Sequence, residues 1–229
     1  MAESTLLLGI DTCGPTGSVA LGRWSGSSVE ILGQIELEGR SYSSTLVAAV
    51  SELLARAGMQ LGQLSAIVAV NGPGSFTGVR VGLSAVKGLA ESLPIGVVAI
   101  SRLQVLSRKS GVPACALDAH RGEVFLRVEE LGRHPRELLA GAQELLDVNP
   151  APLRVALCDG AAAAMLSAAW PGAQLVRCEA PVASDALRLG EARLVAGGNV
   201  DLALLDGNYL RRSDAEIFGE AAAAGRSRA

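Results

Sequence analysis

The sequence predicts an α/β protein built from two similar units within one chain. Short apolar runs alternate with segments whose apolar residues recur at helical spacing, and this pattern runs through the chain twice. The 229 residues, of which 49% are hydrophobic, are enough for one large core or two small ones. Because only 3% of the residues are aromatic, we expect these cores to consist of Ala, Val, Leu and Ile.

The first half begins with three strands and continues with helices and strands in alternation. The predicted strands cover residues 6–10, 17–23, 29–37, 66–70 and 95–100. The predicted helices cover residues 41–57 and 78–93, with Ser41 as the cap of the first and Pro94 ending the second. Ser101 is expected to cap a further short helix.

The second half repeats this order. Strands are predicted over residues 114–117, 122–129, 136–140, 154–158 and 174–178, and helices over 161–169 and 184–196. Each half opens with an apolar strand that ends in an aspartate, Asp11 or Asp118, followed by a polar turn and a strand that begins with glycine. We therefore predict an internal duplication, with one lobe over residues 1–110, a second over 111–218 and a flexible tail over 219–229.

Composition and charge argue against several classes of function. The net charge is −3 and the pI is about 5.5, so the totals show no basic face with which the chain would hold nucleic acid by itself. The four cysteines are widely spaced and there are two histidines, so we expect no metal site and no disulfide framework. The N-terminus reads as a strand, and no apolar run approaches the ~20 residues of a membrane helix. We expect a cytoplasmic protein without a membrane segment.

The most distinctive segment is the glycine-rich run between the strand at 66–70 and the next helix. Such a run can form a structural turn or bind an anion with its backbone N–H groups, and the turn is the favoured interpretation. The run lacks the lysine of a phosphate-binding loop, and its serine does not have the spacing of a nucleophile elbow. The residues assigned to this turn are Gly72, Pro73, Gly74, Ser75 and Gly78.

The helix after this turn has an unusually wide apolar surface. Its larger apolar residues suit packing on its own sheet, whereas Val81, Ala85 and Gly88 lie on an adjoining side made of small residues. Small residues allow another helix to approach closely. The residues alone leave open whether that helix belongs to this chain or to a partner.

The two strand-ending aspartates are candidate ligands for a cofactor. Ligands of α/β sheets collect at the carboxyl ends of strands, where Asp11 and Asp118 would face Mg²⁺ and a nucleotide. Aspartates at such positions more often form local turns with the following backbone. The spacing favours this second interpretation and leaves a cofactor site unassigned.

Several of these segments resemble the TsaB (YeaZ) family. The similar segments are Ile10-Asp11-Thr12, residues 72–83 with the block Gly-Pro-Gly-Ser-Phe-Thr-Gly, residues 118–125 and residues 209–212, and the glycine-rich block is the most specific. The resemblance implies an actin-like fold, related to sugar kinases and Hsp70, with two RNase-H-like lobes. One difference is that many members carry a histidine near the start of the first helix, where this chain has Tyr42.

The resemblance also implies a function. Members act as non-catalytic scaffold subunits in the transfer of threonylcarbamoyl to adenosine 37 of tRNA, with a TsaD-type catalytic subunit and a TsaE-type ATPase. It implies no intrinsic cofactor, with ATP or ADP and Mg²⁺ acting through the partners, tRNA contact only within the complex, and a homodimer when the chain is alone. The expected partner surface contains Tyr42, Val81, Ala85 and Gly88. In agreement with a non-catalytic role, residues 99–106 lack the paired histidines of the TsaD relative.

Three alternatives remain from the sequence. A small-molecule kinase of the same superfamily would use Asp11 and Asp118 to hold Mg-ATP, but a recognisable adenosine motif and a catalytic base are missing. A glycoprotease would need a metal or an activated nucleophile, and neither is evident. An independent tRNA-binding module conflicts with the acidic composition.

Overall fold

The structure is a computed structural model that describes residues 5–39, 41–93, 95–129 and 134–211. It contains two five-stranded sheets. The strands are β1 (Thr5–Asp11), β2 (Thr16–Trp24), β3 (Val29–Glu38), β4 (Leu64–Val70), β5 (Gly96–Ile100), β6 (Cys115–His120), β7 (Glu123–Val128), β8 (Arg136–Ala140), β9 (Arg154–Leu157) and β10 (Gln174–Arg177). The α-helices are α1 (Tyr42–Arg56), α2 (Phe76–Ser92), α3 (Arg102–Ser110), α4 (Ala142–Leu146), α5 (Gly160–Ala169) and α6 (Ala183–Val195).

The two sheets have the same topology. The first has the order β3-β2-β1-β4-β5, in which β1, β2 and β3 pair antiparallel and β1, β4 and β5 pair parallel. The second has the order β8-β7-β6-β9-β10 with the same directions. This identity of order and direction confirms the predicted α/β fold of two repeated units.

The strands and long helices lie within a few residues of their predicted positions because their apolar periodicity is strong. In α1, the residues Leu46, Val50 and Leu53 recur at helical spacing and are buried against the first sheet. Two cap predictions need correction. Ser41 and Ser101 hold the N-cap positions of α1 and α3, but their hydroxyls donate to the Glu38 carbonyl and the Glu137 carboxylate and make no capping hydrogen bond.

The helix after each sheet packs on the sheet of the other unit. Helix α3 follows the first sheet but packs on β6, β7 and β9, where Leu103 and Leu106 are fully buried. Helix α6 follows the second sheet but packs across the first, and Leu187 lies in the first core. The two units are therefore joined by a reciprocal exchange of helices, which local periodicity does not reveal.

Helix α6 fits the first sheet closely. The N–H of Ala183 donates to Ser18 Oγ at 2.8 Å, so a side chain of β2 satisfies a backbone group at the helix start. A Cβ added to Gly9 would come within 2.9 Å of Leu187 Cγ, and one added to Gly190 within 2.5 Å of Val68 Cγ2. Glycine at these two positions lets the helix and sheet approach.

The predicted division of the chain at residue 110 stays a prediction, and the packing of α3 and α6 qualifies it. Each of these helices belongs by sequence to one predicted lobe and by contact to the sheet of the other. The predicted tail at 219–229 lies outside the described residues, as do Pro94 and Arg212.

Two short elements are not predicted by the sequence because they are too brief to show periodicity. They are α4 and a 3₁₀ turn over Leu61–Gln63. Among the residues described, none of the helices has the length and apolar character needed to span a bilayer.

Candidate functional site

A cleft of about 1030 Å³ lies between the two units. Its walls come from the turn after β1, the start of α2, the turn between β6 and β7, and the segment at residues 208–211. The predicted turn residues Pro73, Gly74 and Ser75 line it, and so does Asp118. Arg102, at the start of α3, also lines the cleft although it is only 6% exposed.

Asp11 lies beneath this cleft in a buried ion pair. One carboxylate oxygen accepts the N–H of Cys13 at 2.8 Å, and the other lies 3.4 Å from Nε of Arg102. Burial lowers the pKa of Arg102, but the Asp11 carboxylate opposes this effect and the net pKa is raised, so the guanidinium stays charged. Both carboxylate oxygens of Asp11, which is 1% exposed, therefore face groups of this chain.

Asp118 makes the equivalent turn in the second unit but remains more open. Its Oδ1 accepts the N–H of His120 at 2.8 Å, while its own N–H donates to Asp159 at 3.0 Å. Asp159 in turn caps α5 by accepting the N–H of Ala162 at 2.6 Å. The Asp118 side chain is 23% exposed, so this aspartate faces the cleft and Asp11 does not. Both nevertheless form the local turn that the spacing favoured.

The glycine-rich turn packs directly against the turn after β1. The N–H of Ser75 donates to the Cys13 carbonyl at 2.8 Å, and Thr12 Oγ1 donates to the Gly78 carbonyl at 2.7 Å. A Cβ added to Gly74 would lie 2.2 Å from the Cys13 carbonyl oxygen, and one added to Gly78 would lie 2.1 Å from the Thr12 carbonyl oxygen. The glycines of this run are therefore needed for close approach between backbones.

The remaining turn residues shape the start of α2. Gly72 has a φ of 108°, which favours glycine, and the bond between Gly72 and Pro73 is cis. Ser75 caps α2, because its hydroxyl accepts the N–H of Gly78 at 3.2 Å. This arrangement assigns Ser75 a capping contact and gives it no base.

Tyr42 does not lie on the surface, and its predicted place there needs correction. The residue is 3% exposed, and its hydroxyl donates to the Gly14 carbonyl at 2.7 Å. The ring packs against Gly17, where an added Cβ would come within 2.7 Å of ring carbon Cε1. Tyr42 therefore supports the turn after β1 from inside the core.

The other predicted partner residues lie along α2 with different exposures. Gly88 is exposed, and a Cβ added there would meet no atom within 4 Å. Val81 and Ala85 are partly buried and pack against the first core. On α1, Val47 is 61% exposed. The outer surface of these helices thus combines an open glycine with apolar side chains.

The segment after α6 connects both units; the sequence singled out residues 209–212 at its end but did not predict the course of residues 199–208. Val200 N–H donates to the Val97 carbonyl at 2.8 Å, so the segment starts along β5. The backbone N–H of Asn208 then donates to the Asn71 carbonyl at 2.6 Å, and its side-chain amide donates to the Glu137 carboxylate at 2.7 Å. The segment has no strand or helix, so its place follows from these distant contacts.

The same segment ends at the turn between β6 and β7. Arg211 donates to the Ala119 carbonyl at 2.7 Å and pairs with the Glu123 carboxylate. Tyr209 contacts Phe76 of the glycine-rich turn, with ring centroids 5.0 Å apart. Two segments singled out in the sequence thus meet at the rim of the cleft.

Within the described ranges, no group of three or more histidine, cysteine, aspartate or glutamate side chains is arranged to hold a metal ion. The expectation of no intrinsic cofactor stays a prediction. Two carboxylates that line the cleft, Asp118 and Asp159, are linked because the Asp118 N–H donates to the Asp159 carboxylate.

Comparisons with known proteins agree with this geometry. The family model described as "TsaD: tRNA N6-adenosine threonylcarbamoyltransferase" matches residues 32–143. The chain is 34% identical over 125 residues to the tRNA threonylcarbamoyladenosine biosynthesis protein TsaB of Escherichia coli, covering 52% of each chain. It is 36% identical over 123 residues to the Bacillus subtilis protein of that name, again covering 52% of each. The aligned part of the chain spans about half the length of these curated relatives.

Solved structures extend the similarity to nearly the whole chain. YeaZ from Pseudomonas aeruginosa superposes with a TM-score of 0.71 at 27% identity, covering 90% of this chain and 100% of that one. A protein of the same organism with similarity to peptidase YeaZ gives a TM-score of 0.74 at 26% identity with the same coverage. The fold is the two-lobed α/β fold of actin-like and RNase-H-like proteins. Within that class, the chain is similar to the TsaB/YeaZ proteins in both sequence and fold.

Proposed function

We propose that this chain is a non-catalytic scaffold subunit in the formation of threonylcarbamoyladenosine at position 37 of tRNA. In this proposal it pairs with a TsaD-type catalytic subunit and cooperates with a TsaE-type ATPase. The names of the relatives support the tRNA modification. The observation that supports a non-catalytic role is the Asp11 carboxylate, whose oxygens face Arg102 and the Cys13 N–H inside the fold.

This ion pair leaves little room for catalysis at the end of β1. A buried carboxylate next to a guanidinium is already neutralised, so a divalent cation would have to displace Arg102 from a site that is 6% exposed. Asp118 and Asp159 are open to the cleft, but each is also engaged with a backbone N–H. The kinase alternative would therefore depend on these two carboxylates.

The proposed pairing surface is the outer side of α1 and α2. It presents Val47, which is 61% exposed, and Gly88, which has open space around its Cα. Apolar and small residues at an exposed helix surface suit close packing with a second helix. The same surface would serve a homodimer when the partner is absent.

Nucleotide, Mg²⁺ and tRNA enter this proposal through the partners. The chain has a net charge of −3, and so its own electrostatic attraction for tRNA is expected to be weak. Contact with tRNA is accordingly expected within the assembled complex.

The first experiment measures mass by light scattering during size exclusion, for the chain alone and mixed with a TsaD-type protein from the same source. A heteromer peak is expected. Gly88→Glu should remove that peak while preserving the helix, because the position is exposed and glutamate has a higher helix propensity than glycine. This change is cleaner than Ala85→Glu, since Ala85 packs against the first core.

The matched control is Leu153→Glu, which places the same charge on a residue of the second unit that is 83% exposed. It should pair normally. Normal pairing by both variants would reject the surface, and absence of a heteromer with the unaltered chain would reject the scaffold role. Phosphoryl transfer from ATP by the chain alone would favour the kinase.

A further inference from the structure

Three cysteines lie on one face of the second sheet. Side chains alternate between the faces of a strand, and the core cluster on this face contains Cys115 of β6 and Ala156 of β9, with Val176 of β10 packed against it. Cys158 and Cys178 come two residues after Ala156 and Val176, and both pack against this same cluster. Their side chains therefore project from the same face.

Cys158 and Cys178 are also direct neighbours across two strands. The parallel register of β9 and β10 pairs their last residues, Leu157 and Arg177, and the residue that follows each strand is a cysteine. The N–H of Cys178 donates to the Leu157 carbonyl at 3.0 Å, so the ladder continues to this point. Neighbouring strands lie about 4.8 Å apart, which is within the Cα separation that a disulfide requires.

The two thiols differ in access from the other cysteines. Cys13 and Cys115 are 1% and 0% exposed, whereas Cys158 and Cys178 are partly exposed. Cys158 also lines the cleft, which admits small solutes. Burial raises the pKa of Cys158 to about 11, so its thiol is largely protonated at neutral pH and its oxidation is expected to be slow.

We propose that Cys158 and Cys178 are an oxidation site at which a hydroperoxide or a diazene converts two thiols into one intramolecular disulfide. With a hydroperoxide, one thiolate attacks the terminal oxygen, the O–O bond breaks and the alcohol leaves with a proton. The second thiol then displaces hydroxide from the sulfenic acid, which forms the S–S bond and releases water. With a diazene, one thiolate adds to the N=N bond, and the second thiol then displaces the nitrogen from sulfur, which forms the S–S bond and releases a hydrazine. In either case two thiols are oxidised and one molecule of oxidant is reduced.

The disulfide would join the ends of β9 and β10 beside the cleft. Cys158 directly precedes Asp159, which caps α5 and accepts the N–H of Asp118. The bond would therefore connect β10 to the part of the chain that holds the second-unit aspartates. This property is independent of the proposed pairing with a TsaD-type subunit.

The test uses the full chain, treated with diamide or hydrogen peroxide at mildly alkaline pH after removal of reductant. The number of free thiols titrated in denaturant should fall from four to two. On a non-reducing denaturing gel the protein should still run as a single chain, without links between molecules. Mass spectrometry of unreduced peptides should join Cys158 to Cys178. Full recovery of four thiols by dithiothreitol distinguishes a disulfide from overoxidation.

Cysteine variants locate the pair. Treated with diamide, Cys158→Ser and Cys178→Ser should each keep all three remaining thiols, whereas the matched control Cys115→Ser should fall from three to one. Serine at 115 can still donate to the Leu103 carbonyl, as Cys115 Sγ does at 3.1 Å, and circular dichroism checks that each variant folds. The proposal would be overturned if the unaltered chain kept four thiols, if other cysteines were linked, or if disulfides formed only between molecules.

Discussion

Asp11 and Arg102 lie side by side beneath the cleft, with 3.4 Å between Oδ2 and Nε, and both are almost entirely buried. Asp11 ends the first strand of the first sheet, while Arg102 begins the helix that packs on the second sheet. The ion pair therefore connects the two units. In this pair the Asp11 carboxylate neutralises the Arg102 guanidinium, which is a charge of the same chain.

Removing the Asp11 charge should destabilise the fold strongly. Asp11→Asn leaves the Arg102 guanidinium buried without its counter-charge, and breaking such a pair costs about 3–5 kcal/mol. The free energy of unfolding in urea measures this loss. Asp118→Asn is the matched control, since its side chain is 23% exposed and we expect a loss below about 1 kcal/mol. Equal losses at the two positions would contradict the structural difference between them.

The double variant Asp11→Asn, Arg102→Met tests the pairing itself. Methionine removes the orphaned charge while retaining an apolar chain, so the double variant should be more stable than Asp11→Asn alone. Simple addition of the two single losses would show that the residues do not interact.

Two glycines of α2 should respond in opposite ways to alanine. Gly78→Ala introduces a Cβ 2.1 Å from the Thr12 carbonyl oxygen, so we expect a loss of about 1–3 kcal/mol from overpacking. Gly88→Ala meets open space and should gain about 0.5–1 kcal/mol from helix propensity. Urea unfolding of the two variants gives the comparison. A stabilising Gly78→Ala would show that the turn after β1 is not in contact with α2.

Tyr42→Phe should lower stability through one hydrogen bond. The change keeps the buried ring but leaves the Gly14 carbonyl without the hydroxyl that donates to it at 2.7 Å, a loss of about 1–2 kcal/mol. Tyr209→Phe, at a ring that is 36% exposed, is the control and should be nearly neutral. If Tyr42→Phe instead abolished partner binding while stability stayed constant, Tyr42 would belong to the partner surface after all.

Stability should decrease at alkaline pH because buried groups hold their protons more tightly in the folded chain. Burial raises the pKa of Cys115 above its ordinary 9.0 and that of Tyr42 from 10.0 to about 12. Well below pH 9 the folded and the unfolded chain both keep these protons, so the free energy of unfolding does not change with pH. As pH rises above that value, the unfolded chain loses protons first and the free energy of unfolding falls by up to about 1.4 kcal/mol per pH unit for each group.

Urea unfolding at several pH values between about 8 and 10.5 measures this slope. Cys115→Ser removes one of the proton-binding groups, so its stability should fall less steeply over the same range. A slope identical to that of the unaltered chain would mean that Cys115 ionises equally in both states.

The sequence by itself determined the elements, the repeat and the resemblance to the TsaB/YeaZ proteins. Apolar periodicity is a local property, so α1, α2 and most strands lie close to their predicted positions. The two aspartates and the glycine-rich block were recognisable for the same reason, since a turn depends on adjacent residues.

Only the tertiary structure decided which elements meet. The exchange of α3 and α6 between the sheets, the pairing of Arg102 with Asp11, the burial of Tyr42 and the course of residues 199–211 all join residues far apart in the chain. Such contacts are selected by shape and by compensation of buried charge, and neither leaves a periodic signal. A sequence therefore shows that Asp11 ends a strand, whereas only the folded chain shows that Arg102 lies against it.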